Sequence, residues 1–340
     1  MAKIINPQIP KIVYLFGAGA THAELVNLYP DEIAEGKFWS ENGLLMTDVS
    51  RRVCEKARNH GLFSTEISPL ISSAGLSNIE LFISLIKNNG TDSENTIINL
   101  ERIIENDISS RLPAQRRRKF YLHKSVLELH KHSTSEQLIG LISLNYDNVL
   151  DEAYKAIYKE TPDYCLSSRQ PNKIPLLKLH GGFDLEYRGH KLSILTPGIN
   201  KNYLQLPYNF VWGRALEILI ECDILRIIGC SLSQNDTGLI DLFFKAHLER
   251  GKPFEIQMIS FDPPNNSIKE QYGFLPQIRR ALEIEGGITG GIISDPKIQD
   301  PTTGANPFKI WLKAKIQKML AKRAITDFRD TTYLEKLLLN

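Results

Sequence analysis

Four short stretches hold the side chains able to do chemistry, and each directly follows an apolar run. Gly17-Ala18-Gly19-Ala20-Thr21 follows Ile12–Phe16, and Asn145-Tyr146-Asp147 follows Leu138–Leu144. His180-Gly181-Gly182 follows Ile174–Leu179, and Gly229-Cys230-Ser231-Leu232-Ser233-Gln234-Asn235-Asp236 follows Ile224–Ile228. Turn formation alone asks only for turn-forming residues at such places, so the repeated polar and glycine-rich chemistry points to one shared cleft. Gly17 and Gly19 lack a Cβ, so the backbone can turn sharply and a pyrophosphate can approach, while Thr21 can open and cap a helix. An ordinary strand-to-helix turn is the alternative. Asn145 and Asp147 either cap the next helix or offer an amide and a carboxylate to a ligand. His180 is a hydrogen-bonded turn histidine or a catalyst, and Gly181-Gly182 lets the chain depart without covering the imidazole. Ser231 sits where a hydroxyl can reach phosphate or ribose, and Asp236 precedes a helix that it can cap.

Several chemistries are excluded or disfavoured. The dinucleotide fingerprint GxGxxG needs glycine at position 22, where this chain has His22, and no second strand with a terminal acid follows within about twenty residues. A nicotinamide dehydrogenase is therefore disfavoured. A P-loop fails because no Gly-Lys-Ser/Thr follows the glycines. Cys54, Cys165, Cys222 and Cys230 never fall at zinc-ligand spacing, and His130 and His132, two apart on a helix, point to different faces. No metal site is expected.

The elements that must position these residues are legible as periodicity. Short continuous apolar runs read as strands buried on both faces: Ile12–Phe16, Leu138–Leu144, Ile224–Ile228 and Phe254–Phe261, with Ile174–Leu179 weaker because Lys178 interrupts it. Between them Asp147–Lys159, Tyr208–Ile220 and Leu239–Arg250 read as helices. Strand and helix in alternation predict an α/β fold, a Rossmann-like doubly wound parallel sheet. Residues 30–135 break the rhythm with helical spacing and no convincing strand, which predicts a nested helical insertion. Residues 286–307 read as an exposed loop, and Pro307–Arg323 as a final amphipathic helix.

Composition agrees. The chain has 340 residues, 42% hydrophobic and 24% charged, enough apolar content for a sizeable core. With Lys plus Arg at 41 and Asp plus Glu at 39, the net charge is +2, so no whole-chain field attracts a polyanion or a membrane. The concentrated basic run Arg111–Lys131, with Arg116-Arg117-Arg118-Lys119 inside it, is either a solvated helix face or a nucleic-acid contact. The scattered cysteines suit a reducing cytoplasm.

The ordered set GAGAT, LNYDNVLD, LKLHGG and IIGCSLSQND resembles the sirtuin-like NAD-consuming family, specifically the bacterial antiphage-defence branch that lacks the zinc module. The resemblance runs from about Lys11 to Asp262. It implies a sirtuin-like NAD-binding domain over 1–29 and 136–285, and leaves uncovered the helical insertion over 30–135 and the loop and helical tail over 286–340 that the pattern predicts. Carried over by position, Gly17, Ala18, Gly19 and Thr21 match the loop that holds the NAD pyrophosphate. Asn145 matches the asparagine beside the nicotinamide ribose, Asp147 the acid that holds the carboxamide, and His180 the catalytic histidine. Gly229 and Ser231 match the stretch near the adenosine ribose and phosphate. Asp236 falls on an acid of unassigned role, and Asp262 is a candidate for the adenosine ribose. The protein-deacylating sirtuins follow their glycine loop with Gly-Ile-Pro-Asp-Phe-Arg, whereas this chain reads Thr21-His22-Ala23-Glu24-Leu25-Val26; they also carry four zinc-binding cysteines.

The resemblance thus implies an NAD glycohydrolase, with NAD as substrate and no metal, that depletes NAD in abortive infection. It further implies a homo-oligomer and a partner ATPase or phage-derived activator. Two other classes remain as expectations: a sensor that binds NAD or ADP-ribose without cleaving it, and a nucleic-acid-associated adaptor. An NAD-dependent protein deacylase ranks below these.

Overall fold

The computed structural model describes residues 9–29, 32, 37–62, 78–80, 82–83, 86, 93–113, 121–131, 133–134, 136–167, 170–195, 203–230, 232, 236–251 and 255–259. Its strands are β1 (Lys11–Phe16), β2 (Gln137–Ser143), β3 (Leu176–Lys178), β4 (Glu186–Tyr187), β5 (His190–Lys191), β6 (Ile224–Ile228) and β7 (Glu255–Ile259). Its helices are α1 (Ala18–Leu28), α2 (Phe38–Asn42), α3 (Met46–Asn59), α4 (Ser93–Arg111), α5 (Tyr121–Lys131), α6 (Val149–Tyr158), α7 (Tyr208–Glu221) and α8 (Thr237–Arg250).

Five strands form one sheet in the order β3-β2-β1-β6-β7, and every pair in it is parallel. The chain first winds outward from β1 to β3 and then restarts on the other side of β1 with β6. The sheet is therefore a Rossmann-like, doubly wound α/β fold, with its switch point between the carboxyl ends of β1 and β6.

Alternation along β1 shows why its run is continuously apolar. Ile12, Tyr14 and Phe16 enter one buried cluster with Ala23 and Leu25 of α1, Leu122 and Val126 of α5, and Val149 and Ala153 of α6. Val13 and Leu15 enter the opposite cluster with Trp212 and Ile218 of α7 and Leu242 and Phe243 of α8. Both faces are covered, so no position on β1 needs a polar side chain. Each fully buried large apolar side chain contributes about 1.5–3 kcal/mol.

Between β1 and β2 the described residues are helical or loop, with no strand. Helices α3 and α4 are tied by Asp107, which is fully buried and bonded by Arg52, Lys56 and Arg111. The surrounding cations and hydrogen bonds outweigh burial and hold its carboxyl below the usual range. Arg111, at the start of the basic run, is thus spent inside the fold. Arg116, Arg117, Arg118 and Lys119 lie outside the described residues, as do residues 286–340.

A polar network occupies the middle of the sheet. Arg226, opposite Tyr14 in register, is fully buried and forks onto both oxygens of Glu136 at 2.7 and 2.8 Å. It also donates to the Tyr14 hydroxyl, which contacts His130 Nε2 at 2.8 Å. The short hairpin β4–β5, turning at Arg188-Gly189 with both residues at positive φ, is absent from the sequence expectations because its strands are too short to show periodicity.

Candidate functional site at the carboxyl ends of the strands

The loops after β1, β2, β3 and β6 meet at the switch point. Gly17 N–H donates to the Ile228 carbonyl and Gly19 N–H to the Gly229 carbonyl, so the first turn of α1 is seated directly on the end of β6. A Cβ at Gly19 would lie 2.7 Å from the Gly229 oxygen, and one at Gly17 would lie 2.7 Å from the Cys230 backbone. Gly229 has φ +60, and a Cβ there would meet the Ala20 nitrogen at 2.1 Å. These glycines are thus required for two segments of backbone to touch. The amides of Gly17, Gly19 and Ala20 are each already bonded to a protein carbonyl.

Thr21 does not cap α1. The cap position is Gly17, with no side-chain bond, and Thr21 lies in the first turn, 2% exposed. Its hydroxyl instead meets Asn145 Nδ2 at 3.0 Å, and the same amide nitrogen donates to the Gly17 carbonyl at 3.0 Å. Ser143 Oγ accepts from the Asn145 backbone N–H, fixing the residue from behind. The Asn145 carbonyl oxygen, Oδ1, is buried and has no hydrogen-bond partner. An orphaned buried acceptor costs about 1–3 kcal/mol and needs an explanation.

Asp147 is the residue that serves α6: its Oδ1 accepts from Val149 N–H at 2.9 Å. Next to it Tyr146 is buried, its hydroxyl donated to Glu80 at 2.6 Å. Burial and then the Glu80 charge push the Tyr146 pKa well up. Lys178, the apparent interruption of β3, is 1% exposed and pairs with Asp151 of α6 at 3.0 Å while donating to the Asp147 carbonyl. It anchors the Asn145–Asp147 loop from beneath. Its partner lay outside the range of sequence pattern, although a lysine inside an apolar run was a signal that one must exist.

His180 is a hydrogen-bonded histidine whose ring is buried, not left uncovered by its trailing glycines. It is 3% exposed, and those glycines make room for protein: a Cβ on Gly181 would strike the Tyr208 hydroxyl, and one on Gly182 the Lys178 side chain. Both ring nitrogens are engaged, Nδ1 with the Leu144 carbonyl at 3.1 Å and Nε2 with Asp236 Oδ2 at 2.9 Å. The other carboxylate oxygen of Asp236 accepts from Leu239 N–H and caps α8.

His22 takes the place of a third fingerprint glycine. It accepts from Leu44 N–H through Nδ1 and stacks on Trp39 at 4.6 Å, tying α1 to the helical segment. Burial, then the nearby Arg52, lower its pKa to about 4. Burial pushes the Cys230 thiol up to about 12. Thus the structure gathers Gly17, Ala18, Gly19, Thr21, Asn145, Asp147, His180, Gly229 and Asp236 around one switch point, whereas Ser231 and Asp262 lie outside the described residues. Among the described residues no cluster of His, Cys, Asp or Glu fits a metal ion, and no helix is long and apolar enough to cross a membrane.

No family model matches the chain, and no curated protein matches it. Among solved structures, it is similar to a Sir2 homolog in complex with NAD, at 14% identity over 80% of this chain and 90% of that one, TM-score 0.31. A second Sir2 enzyme gives 14% identity over 82% and 93%, TM-score 0.35. A third, Sir2 bound to an inhibitor, 2'-O-acetyl-ADP-ribose and a deacetylated peptide, gives 10% identity over 82% and 94%, TM-score 0.31.

Proposed function

We propose that the chain is an NAD glycohydrolase of the sirtuin-like antiphage branch, cleaving the nicotinamide–ribose bond to give nicotinamide and ADP-ribose. The observation that carries this reading is the buried, unpartnered Oδ1 of Asn145, held by its own amide against Gly17 and Thr21. A rigid acceptor at the switch point suits a ribose hydroxyl or an attacking water, either of which would satisfy it.

Nicotinamide already leaves from a cationic ring, so no general acid is needed. Water adds to the anomeric carbon as the C–N electron pair departs with nicotinamide, and one proton is released. The protein's work is positioning and charge stabilisation. In this reading Asn145 fixes the ribose or the water, Asp147 orients the carboxamide, and His180 acts at the ribose hydroxyls. Gly17, Ala18, Gly19 and Thr21 serve the pyrophosphate, Gly229 and Ser231 the adenosine ribose and phosphate, and Asp262 the adenosine ribose, while Asp236 belongs to the NAD-binding set with no substrate contact of its own assigned. The biological role is NAD depletion in the cytoplasm of infected cells, awaiting a homo-oligomeric state or a partner ATPase or phage-derived activator.

Asn145→Ala tests this directly. Nicotinamide release, followed by chromatography with and without the product of the neighbouring gene, should fall by about a hundred- to a thousandfold, with thermal unfolding little changed. Full activity in Asn145→Ala would sink the assignment. The engaged state of both His180 nitrogens favours one second reading, an NAD or ADP-ribose sensor. In that case calorimetry gives binding while NAD stays intact on long incubation.

A further inference from the structure

Asp236 contacts His180 and caps α8 with the same carboxylate, and these two contacts together set where one proton resides. The Leu144 carbonyl can only accept, so His180 Nδ1 carries a hydrogen. At Nε2 a single proton lies between the ring and Asp236 Oδ2, 2.9 Å away. It belongs either to the ring, giving imidazolium and carboxylate, or to the carboxyl, giving a neutral pair.

Two features favour the carboxylate. Asp236 Oδ1 accepts a backbone hydrogen bond from Leu239 N–H at 3.1 Å, which stabilises the ionised form. The group also sits at the N-terminus of α8, a 14-residue helix whose dipole favours negative charge there. Three described side chains nearby do not oppose this. Tyr146 lies 6.3 Å from the imidazole by ring centroids and is kept neutral by burial and by Glu80. Tyr208, beside Gly181, is likewise kept protonated by burial and then by Glu101. Cys230 is held as a thiol. Glu80 and Glu101, the carboxylates behind the tyrosines, act in the same sense as Asp236.

We propose that Asp236 is the positioning residue that keeps His180 doubly protonated in the resting site, so that the ring serves as a base only after its Nε2 proton has left. The catalytic duty of His180 rests on the glycohydrolase reading; its charge state does not. The arrangement differs from a relay in which the carboxylate supports one nitrogen and leaves the other free, because here the carboxylate occupies the nitrogen that a substrate hydroxyl would need.

The test is imidazole ¹⁵N NMR of the full chain from pH 5 to 9, with the His180 signal identified by its loss in His180→Gln. The wild type should show both His180 nitrogens protonated at pH 7.5, above the ordinary midpoint of about 6.5. In Asp236→Asn the amide oxygen can keep the Leu239 cap while the amide N–H donates to Nε2, so the ring should be neutral. Asp236→Ser, a favourable cap without charge, should also leave the ring neutral and covers a folding failure of the first variant. In parallel, the rising limb of nicotinamide release against pH should move down by a unit or more in Asp236→Asn. A singly protonated wild-type ring at pH 7.5, or a ring unchanged in both variants, overturns the proposal. If the wild type, with its activator, cleaves no NAD, the glycohydrolase reading fails while the NMR result still decides the charge state.

Discussion

Two buried polar networks lie in the sheet, one in mid-strand and one just beyond the strand ends, and they are built to different ends. In the first, Arg226 of β6 gives its fork to both oxygens of Glu136 and a further bond to Tyr14 of β1. Charge meets charge in matched geometry. In the second, Asn145, Thr21, His180 and Asp236 lie past the carboxyl ends, and the acceptor oxygen of Asn145 is left open. His130 Nδ1, at the edge of the first network, is likewise buried without a hydrogen-bond partner, so an open polar atom alone does not separate the two; what does is that the open acceptor of Asn145 lies at the switch point, past the strand ends.

The largest expected effect should separate the two. Arg226→Ala strands the Glu136 carboxylate in the core and should cost about 3–5 kcal/mol of stability, read from the urea midpoint. The double variant Arg226→Met/Glu136→Leu should recover most of that loss, since matched apolar replacements of a buried pair are often neutral. If the single variant costs less than about 1 kcal/mol, the mid-strand network is not the structural device described above.

Next in size is a change that touches both networks' common support. Gly229→Ala places a Cβ against the Ala20 nitrogen at positive φ and should cost about 1–3 kcal/mol by forcing α1 off the end of β6. Because Gly17 and Thr21 hold Asn145, NAD turnover should fall more steeply than stability. Parallel losses in the two would mean that the seating of α1 does not orient Asn145.

The strands were readable because burial on both faces writes itself as an apolar run; β1 and β6 match the runs Ile12–Phe16 and Ile224–Ile228 almost residue for residue. The placement of GAGAT, NYD and HGG at strand ends was equally local and equally legible. What pattern could not supply was partnership across the chain. Arg226 sits inside an apolar run with no local partner, because Glu136 is 90 residues away in sequence. Glycine's meaning was ambiguous for a related reason. An absent Cβ fits a phosphate or a neighbouring backbone equally well, and only the packing of Gly229 against Gly19 and Ala20 shows the second. The burial of His180 is hidden for the same cause, since Asp236, which occupies its Nε2, lies 56 residues along the chain.

The smallest effect sharpens the comparison through protons. His130, at the edge of the mid-strand network, has its pKa lowered to about 3, first by burial and then by the charge of Arg226, with Glu136 opposing. In the unfolded chain the same ring titrates near 6.5. Above that pH it is neutral in both states and contributes nothing to the pH dependence. As pH falls from about 6.5 towards 3 the unfolded state takes up a proton that the folded state refuses, so stability is lost, and the loss is complete below the folded value. At pH 5.5 the difference is about 1.4 kcal/mol. His130→Gln should remove that increment, so its stability measured at pH 5.5 relative to pH 7.5 should fall less than the wild type's. His180 carries the opposite sign, because a ring charged in the native state is stabilised as pH drops. Equal pH slopes for His130→Gln and the wild type would mean that the two histidines are not held in contrasting charge states by the two networks.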